Sequence, residues 1–123
     1  MFRIEKLVLQ NFGAYYGKQE IEFPKDNGVC IVWGDNGFGK TTITNAFRYV
    51  LWDVIYGRKH AIREARSFIN TEAEALGHDM LVELIITVDN VEYTITRGLS
   101  HTTNGTDKTV FNIESNGRLL GPD

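Results

Sequence analysis

The sequence is poor in the features that mark secreted and membrane proteins. It has a single cysteine, Cys30, so a disulfide within the chain is excluded, and the apolar run around Cys30 predicts a buried thiol. No stretch approaches the roughly 18 uninterrupted apolar residues of a membrane span, and the first residues lack the apolar core of a secretory signal. We therefore expect a cytoplasmic protein with no membrane contact.

The charge balance excludes a polyanion-binding surface that covers the whole molecule. Lysine and arginine number 13 against 16 aspartate and glutamate, for a net charge of -3, so any contact with DNA must be local. The densest basic segment supplies Arg58, Lys59, Arg63 and Arg66. These residues predict either a solvated surface or a local contact with the DNA backbone. The three histidines are scattered and give no metal-ligating pattern.

Composition and apolar patterning predict one folded unit built around a sheet. Apolar residues make up 42% of the 123 residues and charged residues 24%, values typical of a single globular domain. Residues 2 to 9 predict a half-buried strand, and residues 20 to 23 a short second strand antiparallel to it. The apolar run Val29–Trp33 predicts a strand covered on both faces.

A helix is predicted after the glycine-rich segment that follows Trp33. Apolar residues recur there at the spacing of one helix face, and Gly57 is the expected stop. A second short helix is predicted between Ala61 and Ala75. The apolar stripe of the first helix consists of Ile43, Ala46, Phe47, Val50, Leu51, Val54 and Ile55.

The last third of the chain predicts antiparallel hairpins. Apolar and polar residues alternate over residues 80 to 88 and 91 to 96, with Asp89-Asn90 as a two-residue turn between them. A polar loop is predicted over residues 100 to 107. Two more strands are predicted after it, over residues 109 to 114 and 118 to 120.

The motif that carries chemistry is Gly34–Thr41, which matches the phosphate-binding pattern G-x-x-x-x-G-K-[ST] between the predicted buried strand and helix. Glycines allow the tight path that points successive backbone N–H groups inward, and the helix N-terminus adds partial positive charge. Lys40 would reach the β and γ phosphates of a nucleotide, and the Thr41 hydroxyl would bind Mg²⁺. The predicted nucleotide site comprises Gly34, Asn36, Gly37, Phe38, Gly39, Lys40, Thr41 and Thr42.

Groups that could complete hydrolysis are not evident. Phosphoryl transfer also needs a carboxylate that holds Mg²⁺ and a group that orients the attacking water. Asp89 ends an apolar strand as a Walker B acid does, yet it falls at the expected hairpin turn and no glutamate follows it, so a turn aspartate is favoured. No catalytic residue is therefore predicted within this sequence.

Four segments in order carry a family resemblance: a first strand ending in Leu9–Phe12, the strand Ile21–Phe23, the Gly34–Thr42 segment, and the helix through Ala46-Phe47 with its ending at Leu51–Gly57. They resemble the N-terminal ATPase lobe of the SMC, RecF and SbcC group of ABC-type ATPases, particularly DndD-like proteins of DNA phosphorothioation systems. The resemblance implies an α/β P-loop NTPase of the ABC/SMC head type, with a mixed and antiparallel β-sheet and one P-loop helix.

The resemblance also implies cofactors and partners. In this group ATP with Mg²⁺ is sandwiched between two heads, and a C-terminal lobe supplies the signature motif and the Walker B acids. Neither a Leu-Ser-Gly-Gly segment nor an Asp-Glu pair occurs in this sequence. Residues 1 to 123 are therefore expected to be an incomplete N-terminal lobe of a DNA-repair or DNA-defence ATPase, paired with a C-terminal lobe in the same or a separate chain and able to form a head-to-head homodimer. Gly13 stands where some members carry an arginine.

Two other interpretations are consistent with the same motif. One is a small self-contained P-loop kinase or NTPase that uses Asp53 or Asp89 as its acid. The other is a non-enzymatic interaction module, in which the glycine-rich loop is vestigial and an exposed sheet edge docks a partner. Turnover sensitive to Asp89→Asn would favour the first. Failure to bind any nucleotide, together with a stable complex with a second protein, would favour the second.

Overall fold

The computed structural model describes residues 2–13, 15–23, 38–56, 62–63, 65–101 and 107–121. The predicted strand Val29–Trp33, which contains Cys30, lies outside these residues. The described strands are β1 (Phe2–Gln10), β2 (Lys18–Glu22), β3 (Ile55–Tyr56), β4 (Ile62–Arg63), β5 (Met80–Val88), β6 (Val91–His101), β7 (Asp107–Ser115) and β8 (Arg118–Gly121). The helices are α1 (Phe38–Trp52), a 3-10 helix (Ala65–Phe68) and α2 (Thr71–Ala75).

Six of these strands form one sheet in the order β2-β1-β5-β6-β7-β8, and β3 pairs with β4 separately. Every pairing among the described strands is antiparallel. The predicted pairing of the first two strands is confirmed, as are the predicted strands near the C-terminal end. The parallel component of the predicted mixed sheet is not present among the described residues.

A bulge in β1 explains why its apolar residues alternate imperfectly. Ile4 pairs with Ile86 of β5 and Leu7 pairs with Leu84, while the register shifts between Ile4 and Lys6. The extra residue, Glu5, lets residues three positions apart lie on the same face of the sheet. Ile4 and Leu7 therefore both contribute to the core, and the face that they share is the one that α1 covers.

The helix α1 packs its apolar face against this side of the sheet, on β5 and β6. Ala46 and Val50 of the predicted stripe are fully buried, and so is Tyr49, which the stripe did not include, whereas Leu51 of the stripe is exposed. The buried residues pack with the inward-facing residues of the neighbouring strands, whose alternation gives the sheet one apolar face. The buried core consists of Leu7, Leu9, Phe12, Ala46, Tyr49, Val50, Ile55, Phe68, Ile69, Ala73, Met80, Val82, Leu84 and Leu99.

The predicted end of the helix at Gly57 is wrong. α1 ends at Trp52, and Asp53 follows it with a left-handed backbone, φ 58°. Ile55 is buried as predicted, but it lies in the short strand β3 instead of in a helix. The apolar periodicity continued past the helix because a strand beyond the turn returns to the same core.

Turn chemistry fixes the two C-terminal hairpins. Asp89 and Asn90 have φ values of 48° and 67°, and Asn116 and Gly117 have values of 53° and 76°. Positive φ at both central residues is the two-residue turn that matches the twist of antiparallel strands, and it favours Asn, Asp and Gly. The interpretation of Asp89 as a turn aspartate is confirmed.

Two predictions between these elements are corrected. The predicted loop over 100 to 107 is too long, because β6 extends to His101 and β7 begins at Asp107. The predicted helix between Ala61 and Ala75 is limited to a 3-10 helix and to α2. α2 begins where it does because the Asn70 side chain accepts hydrogen bonds from the backbone of Glu72 and Ala73.

Candidate nucleotide-binding site

The structure describes only part of the predicted nucleotide site. Gly34, Asn36 and Gly37 lie outside the described residues. The backbone of residues 38 to 41 forms the first turn of α1, and the side chains of Phe38, Lys40 and Thr41 also lie outside the described part. Thr42 is the first residue of the motif region whose side chain is placed.

The position where α1 begins matters for phosphate chemistry. The first backbone N–H groups of a helix have no partner within it, and the aligned peptide dipoles give this end a partial positive charge. α1 begins at Phe38, inside the glycine-rich motif, and its first turn contains no acidic residue. A carboxylate there would repel a phosphate, so its absence from this turn is compatible with an anion at this helix end.

The turn that follows β1 packs directly on this part of α1. Gly13 has φ +58°, and a β-carbon placed on it would lie 2.8 Å from Cγ2 and Oγ1 of Thr42 and 2.5 Å from the Phe68 ring. Thr42 is 3% exposed and Phe68 is 8% exposed, so neither side chain has room to move away. The turn can approach the motif helix this closely only because residue 13 is glycine.

This packing bears on the arginine that some members of the resembled group carry at the position of Gly13. An L-residue with this φ is strained, and its β-carbon would overlap both neighbours. The chain therefore has no room for a side chain in this backbone conformation.

Hydrogen bonds from a distant segment hold the turn in place. Gly13 N donates to the Phe68 carbonyl at 2.7 Å, and the Asn70 side-chain amide donates to the Gly13 carbonyl at 3.0 Å. Asn70 N also donates to the Asn11 carbonyl at 2.9 Å. Asn70 thus caps α2 and fastens the turn with the same side chain, because its amide group offers both an acceptor and a donor.

Asn11 closes the other side of the turn. Its side-chain amide donates to the Asp79 carbonyl at 2.7 Å, and its side-chain oxygen accepts from Gly17 N at 2.8 Å. Asn11 N donates to the Gly17 carbonyl at 3.0 Å. Because Asn11 is buried, these bonds offset the cost of removing its amide from water.

Phe12 connects the turn to the middle of α1. Its ring stacks on Tyr49 with centroids 5.6 Å apart and tilts against Phe68 at 4.8 Å. Burial raises the pKa of the Tyr49 hydroxyl well above its ordinary value, and the nearby Asp53 carboxylate raises it further. Tyr49 is therefore a neutral member of the core at physiological pH.

Arg97 of β6 secures the opposite end of α1. Its Nε donates to the Val50 carbonyl at 3.4 Å, its Nη1 lies 3.8 Å from Oδ2 of Asp53, and its guanidinium lies 4.0 Å from the centroid of the Phe111 ring. A cation at this position complements the partial negative charge of the helix C-terminus. Sequence reasoning missed Arg97, since an arginine in an alternating strand carries no local sign of a helix partner.

Both acids considered for a self-contained enzyme lie far from the motif. Asp53 follows the last turn of α1, about 21 Å along the helix axis from Gly39 at a rise of about 1.5 Å per residue. Gln10, at the end of β1, pairs with Leu81, and Asp89 lies about 26 Å from Leu81 along β5 at about 3.3 Å per residue. Neither carboxylate can share a metal ion with the first turn of α1.

The structure describes little of the four basic residues predicted to contact DNA. Arg58 and Lys59 lie outside the described residues; the backbones of Arg63 and Arg66 lie in β4 and the 3-10 helix, and their side chains lie outside the described part. No cluster of three or more metal-ligating side chains is found in the described ranges. Within those ranges, no helix has the length and apolar character needed to span a membrane.

A family model described as an AAA domain matches residues 6–119 of the chain. The chain belongs to the AAA domain family. The SbcC component of the nuclease SbcCD of Treponema pallidum (strain Nichols) is 32% identical over 97 residues, covering 78% of this chain and 9% of that protein.

Two further relatives match shorter stretches. The SbcC component of the nuclease SbcCD of Vibrio cholerae serotype O1 (strain ATCC 39315 / El Tor Inaba N16961) is 41% identical over 49 residues, 38% of this chain and 5% of that protein. The chromosome partition protein Smc of Koribacter versatilis (strain Ellin345) is 37% identical over 51 residues, 42% of this chain and 4% of that protein. The chain thus spans less than a tenth of the length of these relatives.

The family and these relatives confirm the resemblance at a coarse level. They support an N-terminal region of an SMC/SbcC-type ATPase. Members of this ATPase family generally bind ATP with Mg²⁺.

Proposed function

We propose that this AAA domain chain is the ATP-binding N-terminal lobe of an SMC/SbcC-type ATPase that acts on DNA, with Gly34–Thr42 as its Mg-ATP site. The observation that carries the proposal is the position of α1. Its N-terminus falls inside the glycine-rich motif and carries no acid in its first turn. A family match over residues 6–119 supports the same function for the whole segment.

Each residue of the site has a chemical role in this proposal. Gly37 and Gly39 present backbone N–H groups to the phosphates, and Lys40 brings its ammonium to the β and γ oxygens. Thr41 binds Mg²⁺ through its hydroxyl, and the ion neutralises charge on the phosphates. The roles of Gly34, Phe38, Asn36 and Thr42 are to shape the loop and support its contacts, Thr42 through its packing on Gly13.

Hydrolysis in this proposal requires a second lobe. Phosphoryl transfer needs a metal-holding carboxylate and a group that orients water. Asp53 lies about 21 Å along the axis of α1 from Gly39, and Asp89 lies at the opposite end of β5 from the residue that pairs with Gln10. The missing groups come from a C-terminal lobe, in the same chain or a separate one, and from head-to-head dimerisation. We also propose that the chain acts in DNA repair or DNA defence and that it belongs to the DndD-like branch of this group.

DNA is the proposed substrate because of the relatives' functions. Their names specify a nuclease and a chromosome partition protein. Arg58, Lys59, Arg63 and Arg66 are the candidate local contact with the DNA backbone in this proposal, and a solvated surface is the alternative.

Nucleotide binding is tested by Lys40→Ala. Affinity for Mg-ATP is measured by isothermal titration on the wild-type chain, on Lys40→Ala and on Lys108→Ala, an exposed lysine of β7 that serves as the matched control. A charged hydrogen bond contributes about 1.5–3 kcal/mol, so Lys40→Ala should weaken binding by about 10- to 150-fold. Equal affinity of the two variants would refute the assigned site, and failure of the wild type to bind would favour the interaction module.

A further inference from the structure

A surface concavity of about 300 Å³ lies at the end of β1 and the start of β2. We call the turn that follows β1 and begins at Asn11 the Asn11 turn. The described lining of the concavity includes no residue of the Gly34–Thr42 motif or of the basic segment of residues 58 to 66. Its lining consists of Gln10, Asn11, Tyr16, Gly17, Lys18 and His78. We call it the Tyr16 pocket.

The chemistry of the Tyr16 pocket is aromatic and cationic. The rings of Tyr16 and His78 meet edge to face with centroids 6.4 Å apart, and Tyr16 is 43% exposed. Lys18 is exposed, and no ion pair to its ammonium is found among the described residues. No carboxylate side chain contributes to the described lining.

A second concavity of similar size has the opposite charge character. It measures about 310 Å³, and its lining includes the carboxylates of Glu5, Glu22 and Glu92. Its single lysine, Lys6, is already paired with Glu20 at 3.4 Å. A polyanion would be repelled at this second concavity, whereas the Tyr16 pocket offers the Lys18 ammonium, which no described carboxylate neutralises.

The walls of the Tyr16 pocket are held by the hydrogen bonds of the Asn11 turn. Asn11 binds the backbone of Gly17 on both sides, through its own N–H and its side-chain oxygen. His78 N donates to the Ala73 carbonyl at 2.9 Å, which fixes the other wall to α2. A ligand would therefore meet a surface that is already organised.

We propose that the Tyr16 pocket binds single-stranded DNA, with the Lys18 ammonium at a backbone phosphate and a base stacked on the exposed ring of Tyr16. Proteins bind unpaired nucleic acid by placing lysine or arginine at its phosphates and by stacking aromatic rings on its bases. The proposal rests on the proposed function in that DNA is the expected substrate. It adds a contact surface whose described lining contains no residue of the proposed nucleotide site.

The test is fluorescence anisotropy of a labelled single-stranded oligothymidylate, titrated with the chain at several salt concentrations. Lys18→Gln should reduce the magnitude of the slope of log K against log salt by about 0.7, the value of one phosphate contact. Lys108→Gln on β7 is the matched control and should leave the slope unchanged. Tyr16→Ala should weaken binding by about five- to 150-fold, and Tyr16→Phe should retain it.

An abasic oligonucleotide of equal length separates stacking from charge. Wild type and Tyr16→Ala should bind it equally, because it offers phosphates without bases. The proposal is overturned if the wild type does not bind oligothymidylate, if Lys18→Gln and Lys108→Gln change the slope alike, or if Tyr16→Ala binds as the wild type does. Urea unfolding of each variant confirms that these exposed substitutions leave the fold intact.

Titration with Mg-ATP keeps the two proposals distinguishable. Tyr16→Ala and Lys18→Gln should bind Mg-ATP as the wild type does, since the pocket lies outside the motif. Loss of DNA binding with retained ATP binding in these variants supports the pocket. A chain that binds DNA in this manner but never binds ATP leaves the pocket standing and refutes the nucleotide site alone.

Discussion

Gly13→Ala tests the close packing of the Asn11 turn on the helix that bears the motif. The added β-carbon would lie 2.5 Å from the Phe68 ring and 2.8 Å from Thr42, in a residue with φ +58°. The left-handed backbone costs a non-glycine residue about 1–2 kcal/mol, and overpacking of a buried site costs about 1–3 kcal/mol more. We expect Gly13→Ala to lower the free energy of unfolding by about 2–5 kcal/mol.

The matched control is Gly77→Ala. Gly77 also has a positive φ, +74°, but no atom lies within 4 Å of the position of its β-carbon. Gly77→Ala should therefore lower the free energy of unfolding only by the cost of the left-handed backbone, about 1–2 kcal/mol. Any gain from stiffening the unfolded chain applies equally to both variants and cancels in the comparison.

Urea unfolding followed by circular dichroism measures both variants, and the difference between them isolates the packing against Thr42 and Phe68. The reasoning predicts a difference of about 1–3 kcal/mol, with unchanged m values. If Gly13→Ala lowers the free energy of unfolding no more than Gly77→Ala does, the turn is not closely packed against the first part of α1. The account of why glycine occupies position 13 would then be refuted.

Two further predictions concern the residues that hold this region together. Asn70→Ala removes the N-cap of α2 and the hydrogen bond to the Gly13 carbonyl. Urea unfolding should show that the free energy of unfolding falls by about 1–3 kcal/mol. A fall no greater than that of an exposed substitution would contradict the claim that Asn70 both caps α2 and holds the turn. The Tyr49 hydroxyl has a raised pKa in the folded chain. Above a pH of about 10, the ordinary tyrosine pKa, this hydroxyl loses its proton in the unfolded chain but keeps it in the folded chain. The free energy of unfolding therefore falls as pH rises through this range. Tyr49→Phe should show a shallower loss of stability between pH 8 and 11 in urea unfolding, and an identical pH profile would sink this reasoning.

The elements that local chemistry specifies were predictable from the sequence. Asp89-Asn90 fixes a tight turn by its preference for positive φ, and the alternation on either side requires a hairpin. The apolar stripe over Ile43 to Leu51 specified a helix face in the same way, because its period is that of an α-helix. The end of that helix was misjudged because Ile55 keeps the period from within a strand.

The geometry around the candidate site could not be predicted because it depends on residues far apart in the chain. Asn70 bonds the carbonyl of Gly13 across 57 positions, and Asn11 bonds that of Asp79 across 68. A pattern of spacings carries no information on such pairs. One local signal was present for Asn70, since an asparagine before Thr71-Glu72 is typical of a helix N-cap.

The central claim, that the N-terminal end of α1 and its loop hold the phosphates of Mg-ATP, is tested most directly by amide chemical shifts. The isotopically labelled chain is titrated with Mg-ATP, and shifts are recorded for every assigned backbone N–H group. The account predicts that the largest changes fall on Gly37 to Thr42, the segment that would meet the phosphates. Changes confined to other surfaces, or no change at millimolar nucleotide, would contradict it.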